Sequence, residues 1–162
     1  MELTFNALAS VLKKQEEIYR ELLSLGKMKQ AELVQGTLEA IESLNRQEEL
    51  LIVQAGRLEE ERFNHAAALI KHYSMGEDAS LEEIISVAPE VMQGALTSLK
   101  NSLTALLKDM QKINSENTLL IQQTLQFIQF TLGAMTQETQ TTYTSDRAMK
   151  VENLTRILDK KV

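Results

Sequence analysis

The stretch that decides the fold runs from Ile113 to Ser145 and reads INSENTLLIQQTLQFIQFTLGAMTQETQTTYTS. It holds only two charged residues, Glu116 and Glu138, although a quarter of the chain is charged. Read as a helix, it continues an apolar row whose steps alternate between three and four residues. The row consists of Leu96, Leu99, Leu103, Leu106, Met110, Ile113, Asn117, Leu120, Thr124 and Phe127. This spacing predicts a helix that packs in a coiled coil or bundle.

A second apolar row starts beside the first. It consists of Ile121, Leu125, Ile128, Leu132 and Met135. One neighbouring helix covers one row, so the second row predicts another neighbour. That neighbour is either a third helix of the same chain or a partner protein, and the residues alone leave both open.

The rest of the chain has few residues that break helices. Six glycines and one proline in 162 residues leave room for few turns, and no β-branched run alternates with polar residues. The sequence therefore predicts an all-α protein with helices at about 3–35, 37–73, 80–87 and 89–137. Gly36 is predicted to end the first helix in a left-handed cap conformation, Thr37 to cap the second, and Ser80 with Glu83 to form a capping box.

The first two long helices carry heptad rows of their own. These are Phe5, Leu8, Leu12, Gln15, Tyr19 and Leu22 in the first, and Ile41, Leu44, Glu48, Leu51, Ala55, Leu58, Arg62, His65, Leu69 and His72 in the second. The predicted architecture is all-α and coiled-coil-like, with long helices and a short connecting helix. We assign it to residues 1–138, as one elongated domain.

Residues 139–162 are predicted to form a linker and a C-terminal tail. The linker is rich in Thr and Gln, and the tail can form one amphipathic helix with an apolar stripe of Val151, Leu154, Ile157 and Leu158. From residue 146 onward there are five basic and three acidic residues, whereas the whole chain has a net charge of −6. We expect this tail to become ordered by contact, either by folding back over the row that starts at Ile121 or by closing over a bound partner helix.

Composition excludes several classes of function. Aromatic residues are 4% of the chain and the net charge is negative, which argues against binding nucleic acid. There is no cysteine, no N-terminal pattern of a secretory signal, and no run of about 20 apolar residues that would span a membrane. We expect a cytoplasmic protein without membrane insertion.

The sequence predicts no catalytic residues, metal ligands or cofactor. His65 and His72 are two turns apart, about 10.5 Å along a helix, so one ion bound by both would need further ligands from another helix. We interpret them as polar residues of a packing row. Asn117 lies in an apolar row, where it either fixes the register of packed helices or caps the backbone of a partner.

Three hypotheses of function follow from these patterns. The first is a helical binding protein that escorts another protein, the second a structural coiled coil that self-associates, and the third a helical-bundle enzyme. A wide uncharged apolar face with a separable tail favours the first. A uniform apolar row with charged flanks would favour the self-associating coiled coil. Clustered polar residues inside the bundle would favour the enzyme.

The chain resembles the FlgN family, the flagellar export chaperones of the hook–filament junction proteins. The resemblance rests on Glu48 to Leu51 and Leu58 to Arg62, on Gly-Glu-Asp-Ala-Ser-Leu-Glu-Glu-Ile at 76–84, and on Asn114, Asn117, Leu119, Leu120 and Leu125 to Phe127. Tyr143 and the terminal Leu-Asp-Lys-Lys-Val at 158–162 complete the order. The family often has Gly after the tyrosine, whereas this chain has Thr144.

This resemblance implies a fold that is a long antiparallel helical hairpin or a three-helix, coiled-coil-like bundle. It also implies a cytoplasmic type III export chaperone. It would bind the terminal helical segments of hook-associated proteins, prevent their premature assembly and deliver them to the flagellar export gate. Substrate would bind through the C-terminal part of the chaperone, which favours a tail that closes over the substrate. Tyr143 would dock on the gate, unless it is a linker aromatic without a partner, and a homodimer is also possible.

Overall fold

The computed structural model describes the backbone of residues 1–158 and the side chains of residues 1–134. Residues 1–158 form four helices: α1 (Glu2–Gln35), α2 (Leu38–His72), α3 (Leu81–Ser86) and α4 (Glu90–Leu158). Residues 1–158 contain no strand, which confirms the all-α prediction. The chain divides into two compact units, Met1–Leu120 and Ile121–Val162.

In the first unit, α1 and α2 form the predicted antiparallel hairpin. Gln15 Nε2 donates to Glu59 Oε2 at 2.9 Å, and Lys29 Nζ donates to Asn45 Oδ1 at 3.4 Å. Residues later in α1 therefore contact residues earlier in α2, which means that the two helices are antiparallel.

The first part of α4 packs parallel to α1. Ser102 Oγ donates to Glu16 Oε1, and Gln30 Nε2 donates to Glu116 Oε2 at 2.8 Å. Each pair is separated by 86 positions. With this offset, the 34 residues of α1, which end at Gln35, lie beside α4 up to about Leu120.

The core of the first unit lies where all four helices meet. The predicted rows supply most of it, since these residues are almost fully buried: Phe5, Leu8, Leu12, Leu69, Ile84, Ile85, Leu96 and Leu103. Gln15 is also buried, 2% exposed, and its amide is satisfied by Glu59. The heptad reading of α1 and of α4 up to Asn117 is therefore confirmed by burial.

Asn117 and Gly26 connect α4 to α1 by a buried hydrogen bond. The side chain of Asn117 is 2% exposed, and its Nδ2 donates to the carbonyl oxygen of Gly26 at 2.9 Å. Its Oδ1 has no hydrogen-bond partner among the described residues. The contact is thus made within the chain, to α1, and Gly26 lies inside this helix.

Two helix ends follow the predicted caps. Thr37 Oγ1 accepts from the backbone N–H of Ala40, and Ser80 and Glu83 form both hydrogen bonds of the capping box. The first helix ends at Gly36 as predicted, but Gly36 is not in a left-handed conformation, since its φ is −90° and its ψ is −174°. A Cβ there would lie 2.7 Å from the carbonyl oxygen of Glu32, so close approach of the backbone, not a left-handed conformation, requires glycine.

The C-terminal end of α2 is closed by a Schellman motif. Met75 N donates to Ile70 O at 3.0 Å, and Ser74 adopts a left-handed conformation with φ 51°. Met75 and Ile70 both pack against the core, which supplies the hydrophobic contact of this motif.

The backbone of α4 differs from the predicted bounds. The sequence placed the helix end near residue 137 and a linker at 139–145, whereas α4 is helical to Leu158. Residues 134–158 contain neither glycine nor proline, so no local signal stops the helix. The separate role of residues 139–162 stays a prediction, as does the division of the chain at residue 138.

Candidate functional site

The second unit presents the surface that the two apolar rows predicted. Residues 121–134 all have exposed side chains. Leucine and glutamine favour the helix, and Thr131 Oγ1 donates to the carbonyl oxygen of Phe127 at 2.9 Å, which satisfies its hydroxyl within the helix. The segment therefore forms a regular helix whose large apolar side chains lie on the surface.

We call Ile121, Leu125, Ile128 and Leu132 the aliphatic row. Their exposures are 42%, 53%, 46% and 57%, which are high for residues of this type. At about 100° per residue they lie within a sector of roughly 60° on one side of the helix. The structure thus brings the four residues together on one face, as the spacing predicted.

The aliphatic row lies in a segment without charge. No charged residue occurs between Glu116 and Glu138, and the glutamines Gln122, Gln126 and Gln129 occupy another side of the helix. No titratable group lies in the segment, so its surface does not change charge with pH. A surface of this kind can pack against the apolar stripe of another helix.

Two exposed aromatic residues were missed by the sequence analysis as part of a site. Phe127 is 71% exposed and Phe130 is 76% exposed; we call them the Phe pair. Phe127 was assigned to the first heptad row, which is buried only upstream, and Phe130 belongs to neither row. Two phenylalanines three residues apart in an uncharged segment were the signal that could have found them.

The other predicted site residues lie outside the described side chains. They are Met135, Tyr143, Val151, Leu154, Ile157 and Leu158. The contribution of the tail to binding and that of Tyr143 to docking stay predictions.

The histidines occupy different environments in α2. His65 is half-buried, and His72 is exposed, with its ring edge-on to Tyr73 at 4.9 Å between centroids. Among the described side chains, no group of three or more His, Cys, Asp and Glu could hold a metal ion.

A groove of about 810 Å³ lies between α2, the connection that follows it and α3. Arg62, Phe63, Lys71 and Asp78 are among the residues that line it. This lining joins two cations, two carboxylates (Glu77 and Asp78) and an exposed aromatic ring, and it contains no histidine or cysteine. It therefore lacks the pairing of a nucleophile with a histidine base that many hydrolases use.

Comparisons with known proteins agree with the resemblance found in the sequence. A family model described as "FlgN protein" matches residues 1–151. Neither the curated proteins nor the solved structures that were searched contain a match. Within the described residues, none of the helices combines the length and apolar character that crossing a membrane requires.

Proposed function

The chain belongs to the FlgN family of flagellar chaperones, and from this membership we propose that it is an export chaperone of hook-associated proteins. In this proposal it binds their terminal helical segments in the cytoplasm and prevents their premature assembly. It then delivers them to the flagellar export gate.

The observation that supports this proposal is the exposed aliphatic row in an uncharged segment of α4. Filament-type subunits have terminal segments that form coiled coil only after assembly, and such segments aggregate when exposed. A segment of this kind is itself an amphipathic helix, so its apolar stripe can pack on Ile121, Leu125 and Ile128. The uncharged surroundings avoid leaving a charge buried without a partner.

The tail adds a second part to this site in our proposal. Val151, Leu154 and Leu158 are spaced at i, i+3 and i+7, which gives one apolar stripe. We propose that the tail closes over the bound substrate helix. The alternative is that the tail masks the aliphatic row until substrate arrives.

The docking function is proposed for Tyr143. Its place in a Thr-rich segment after the aliphatic row separates it from the residues that we assign to substrate. Changing Tyr143→Ala should then leave substrate binding intact and lower export. Loss of substrate binding instead would argue against a separate docking role.

The central test is recovery of partners from the cytoplasm of a flagellated bacterium, followed by mass spectrometry. The variant L125S/I128S removes two members of the aliphatic row. The matched control is L50S/V53S on α2, since Leu50 and Val53 are also exposed, at 67% and 56%, and have the same spacing.

About half of the surface of Leu125 and of Ile128 is available for burial, at 53% and 46% exposure. Full burial of such a side chain contributes about 1.5–3 kcal/mol, so this pair contributes about 2 kcal/mol, or roughly 30-fold in Kd. We expect the wild type and L50S/V53S to recover unassembled hook-associated proteins and L125S/I128S to lose them. Equal recovery by all three would refute the assignment of the site, and recovery of the protein alone would favour the self-associating coiled coil.

Truncation after Ser145 distinguishes the two roles of the tail. A tail that closes over the substrate predicts that truncation weakens binding by about 2–4 kcal/mol, if two or three side chains take part. A masking tail predicts tighter binding and self-association. Titration calorimetry with a purified hook-associated protein measures the first effect, and sedimentation measures the second.

A further inference from the structure

The Phe pair occupies a different side of the helix from the aliphatic row. At about 100° per residue, the midpoint of Phe127 and Phe130 lies roughly 150° around the axis from the centre of the aliphatic row. A single partner helix covers one such face. A helix packed on the aliphatic row therefore leaves the Phe pair in water.

The Phe pair contains the two most exposed phenylalanines of the chain. The other two of the four are Phe5, which is completely buried in the core, and Phe63, which is 65% exposed and has no second phenylalanine beside it in the sequence. At 71% and 76% exposure, the Phe pair presents two large rings on one face. Rings of this size contribute strongly to interfaces, and they pack favourably against other aromatic rings.

We propose that the Phe pair is the centre of an antiparallel interface between two copies of this chain. Gln123, Phe127, Phe130 and Ala134 follow one another in steps of four, three and four, which are the steps of an a/d row. Antiparallel packing about the midpoint of residues 128 and 129 places Phe127 against Phe130 of the second copy, twice. The same alignment places each Gln123 against Ala134, so a large side chain faces a small one.

The charge pattern fits a second copy as the occupant. When identical segments pair, each charged residue brings a like charge into the same interface. Residues 117–137 contain no charge at all, so this face can pair with itself without repulsion between the helices. The rings also match each other in chemistry, since each of the four gains an aromatic neighbour.

The size of the face sets the strength of the dimer. A phenylalanine has about 150–250 Å² to bury, so each exposed ring offers roughly 150 Å² and the four rings together roughly 600 Å². Stable interfaces bury about 1,200–2,000 Å². The flanking parts of Gln123 and Ala134 add to the rings, and the result is a weak dimer that depends on protein concentration.

The first test is sedimentation equilibrium of the full chain from about 10 to 300 µM, with far-ultraviolet circular dichroism to check folding. We expect a reversible dimer in the wild type and in L125S/I128S, and at least a tenfold weaker association in F127S/F130S. A wild type that stays monomeric over this range overturns the proposal, as does equal association of F127S/F130S.

The second test fixes the direction of pairing. The chain has no cysteine, so Q123C/A134C can be oxidised without competing thiols. Residues 123 and 134 of one helix are about 16 Å apart and cannot bond to each other. We expect a covalent dimer on a non-reducing gel from Q123C/A134C and none from Q123C alone. Cross-linking of Q123C alone indicates parallel packing and overturns the antiparallel alignment.

This interface is independent of the proposed export function. Recovery of hook-associated proteins reports on the aliphatic row, whereas sedimentation of the free protein reports on the Phe pair. A negative result for the export function therefore does not contradict the dimer interface, and a negative result for the interface does not contradict the export function.

Discussion

The contact between α1 and α4 at Gly26 predicts an unusual response to a Gly→Ala change. A Cβ at Gly26 would lie 2.8 Å from Cγ2 of Ile113, which is far inside van der Waals contact. The carbonyl oxygen of Gly26 also accepts the buried hydrogen bond from Asn117. We therefore expect Gly26→Ala to lower the free energy of unfolding, although alanine is the better helix former.

The expected change in the free energy of unfolding follows from two opposing effects. Alanine in a helix interior raises this free energy by about 1 kcal/mol relative to glycine, whereas an extra methyl group in a packed contact lowers it by about 1–3 kcal/mol. Cγ2 of Ile113 is a branch on Cβ, so it cannot move aside as the tip of a long side chain can. The net expectation is a loss of about 1 kcal/mol.

Gly94 provides the matched control, because it lies within α4, is exposed, and would place a Cβ with nothing within 4 Å. Gly94→Ala should raise the free energy of unfolding by about 1 kcal/mol. The free energies of unfolding of the two variants, measured by urea denaturation, should therefore differ by about 2 kcal/mol. In the background Ile113→Ala, Gly26→Ala should no longer be destabilising. If Gly26→Ala stabilises the wild type as much as Gly94→Ala does, α1 and α4 do not approach each other here.

Further predictions concern the α2 cap and the acid sensitivity of the α1–α4 contact. Ser74→Gly should raise the free energy of unfolding by about 1 kcal/mol, because its φ of 51° suits glycine; an unchanged urea midpoint would contradict this. The hydroxyl of Ser102 and, next, the guanidinium of Arg20 lower the pKa of Glu16 below its ordinary value of 4.5. Ionised Glu16 therefore stabilises the fold at neutral pH, and this contribution is lost as the pH falls through its folded pKa. Glu16→Gln should be less stable than the wild type at pH 7, and the difference should shrink below about pH 4.5 in parallel urea titrations. A difference that is independent of pH would refute this origin.

The core was predictable from the sequence because burial in a helical bundle repeats with the helix. Phe5, Leu8 and Leu12 are buried where the heptad row placed them. The parallel packing of α1 on α4 was not predictable, since the contact of Gly26 with Ile113 joins residues far apart in the chain and leaves no local signal.

The aliphatic row was predictable for the same reason as the core, because four residues at steps of four, three and four identify one face. The Phe pair was not predicted as a site. Phe127 was assigned to the first heptad row, which continues the packed row of α4, and Phe130 belongs to neither row. Their exposures of 71% and 76% distinguish these rings from the core residues of the first heptad row. The end of α4 also escaped prediction, since Thr and Gln are weak indicators of a linker when no Gly or Pro accompanies them.

The uncharged segment of α4 around the aliphatic row has a kinetic consequence. A surface without charge does not steer an approaching partner, so association should proceed at the unassisted rate of about 10⁵–10⁶ M⁻¹s⁻¹ and change little with salt. For a Kd of about 1 µM, that rate corresponds to dissociation at about 0.1–1 s⁻¹. A bound helix would then stay for about 1–10 s before it leaves by thermal motion alone. Residence on this scale allows transfer to another binding site without an energy-consuming step to pull the complex apart.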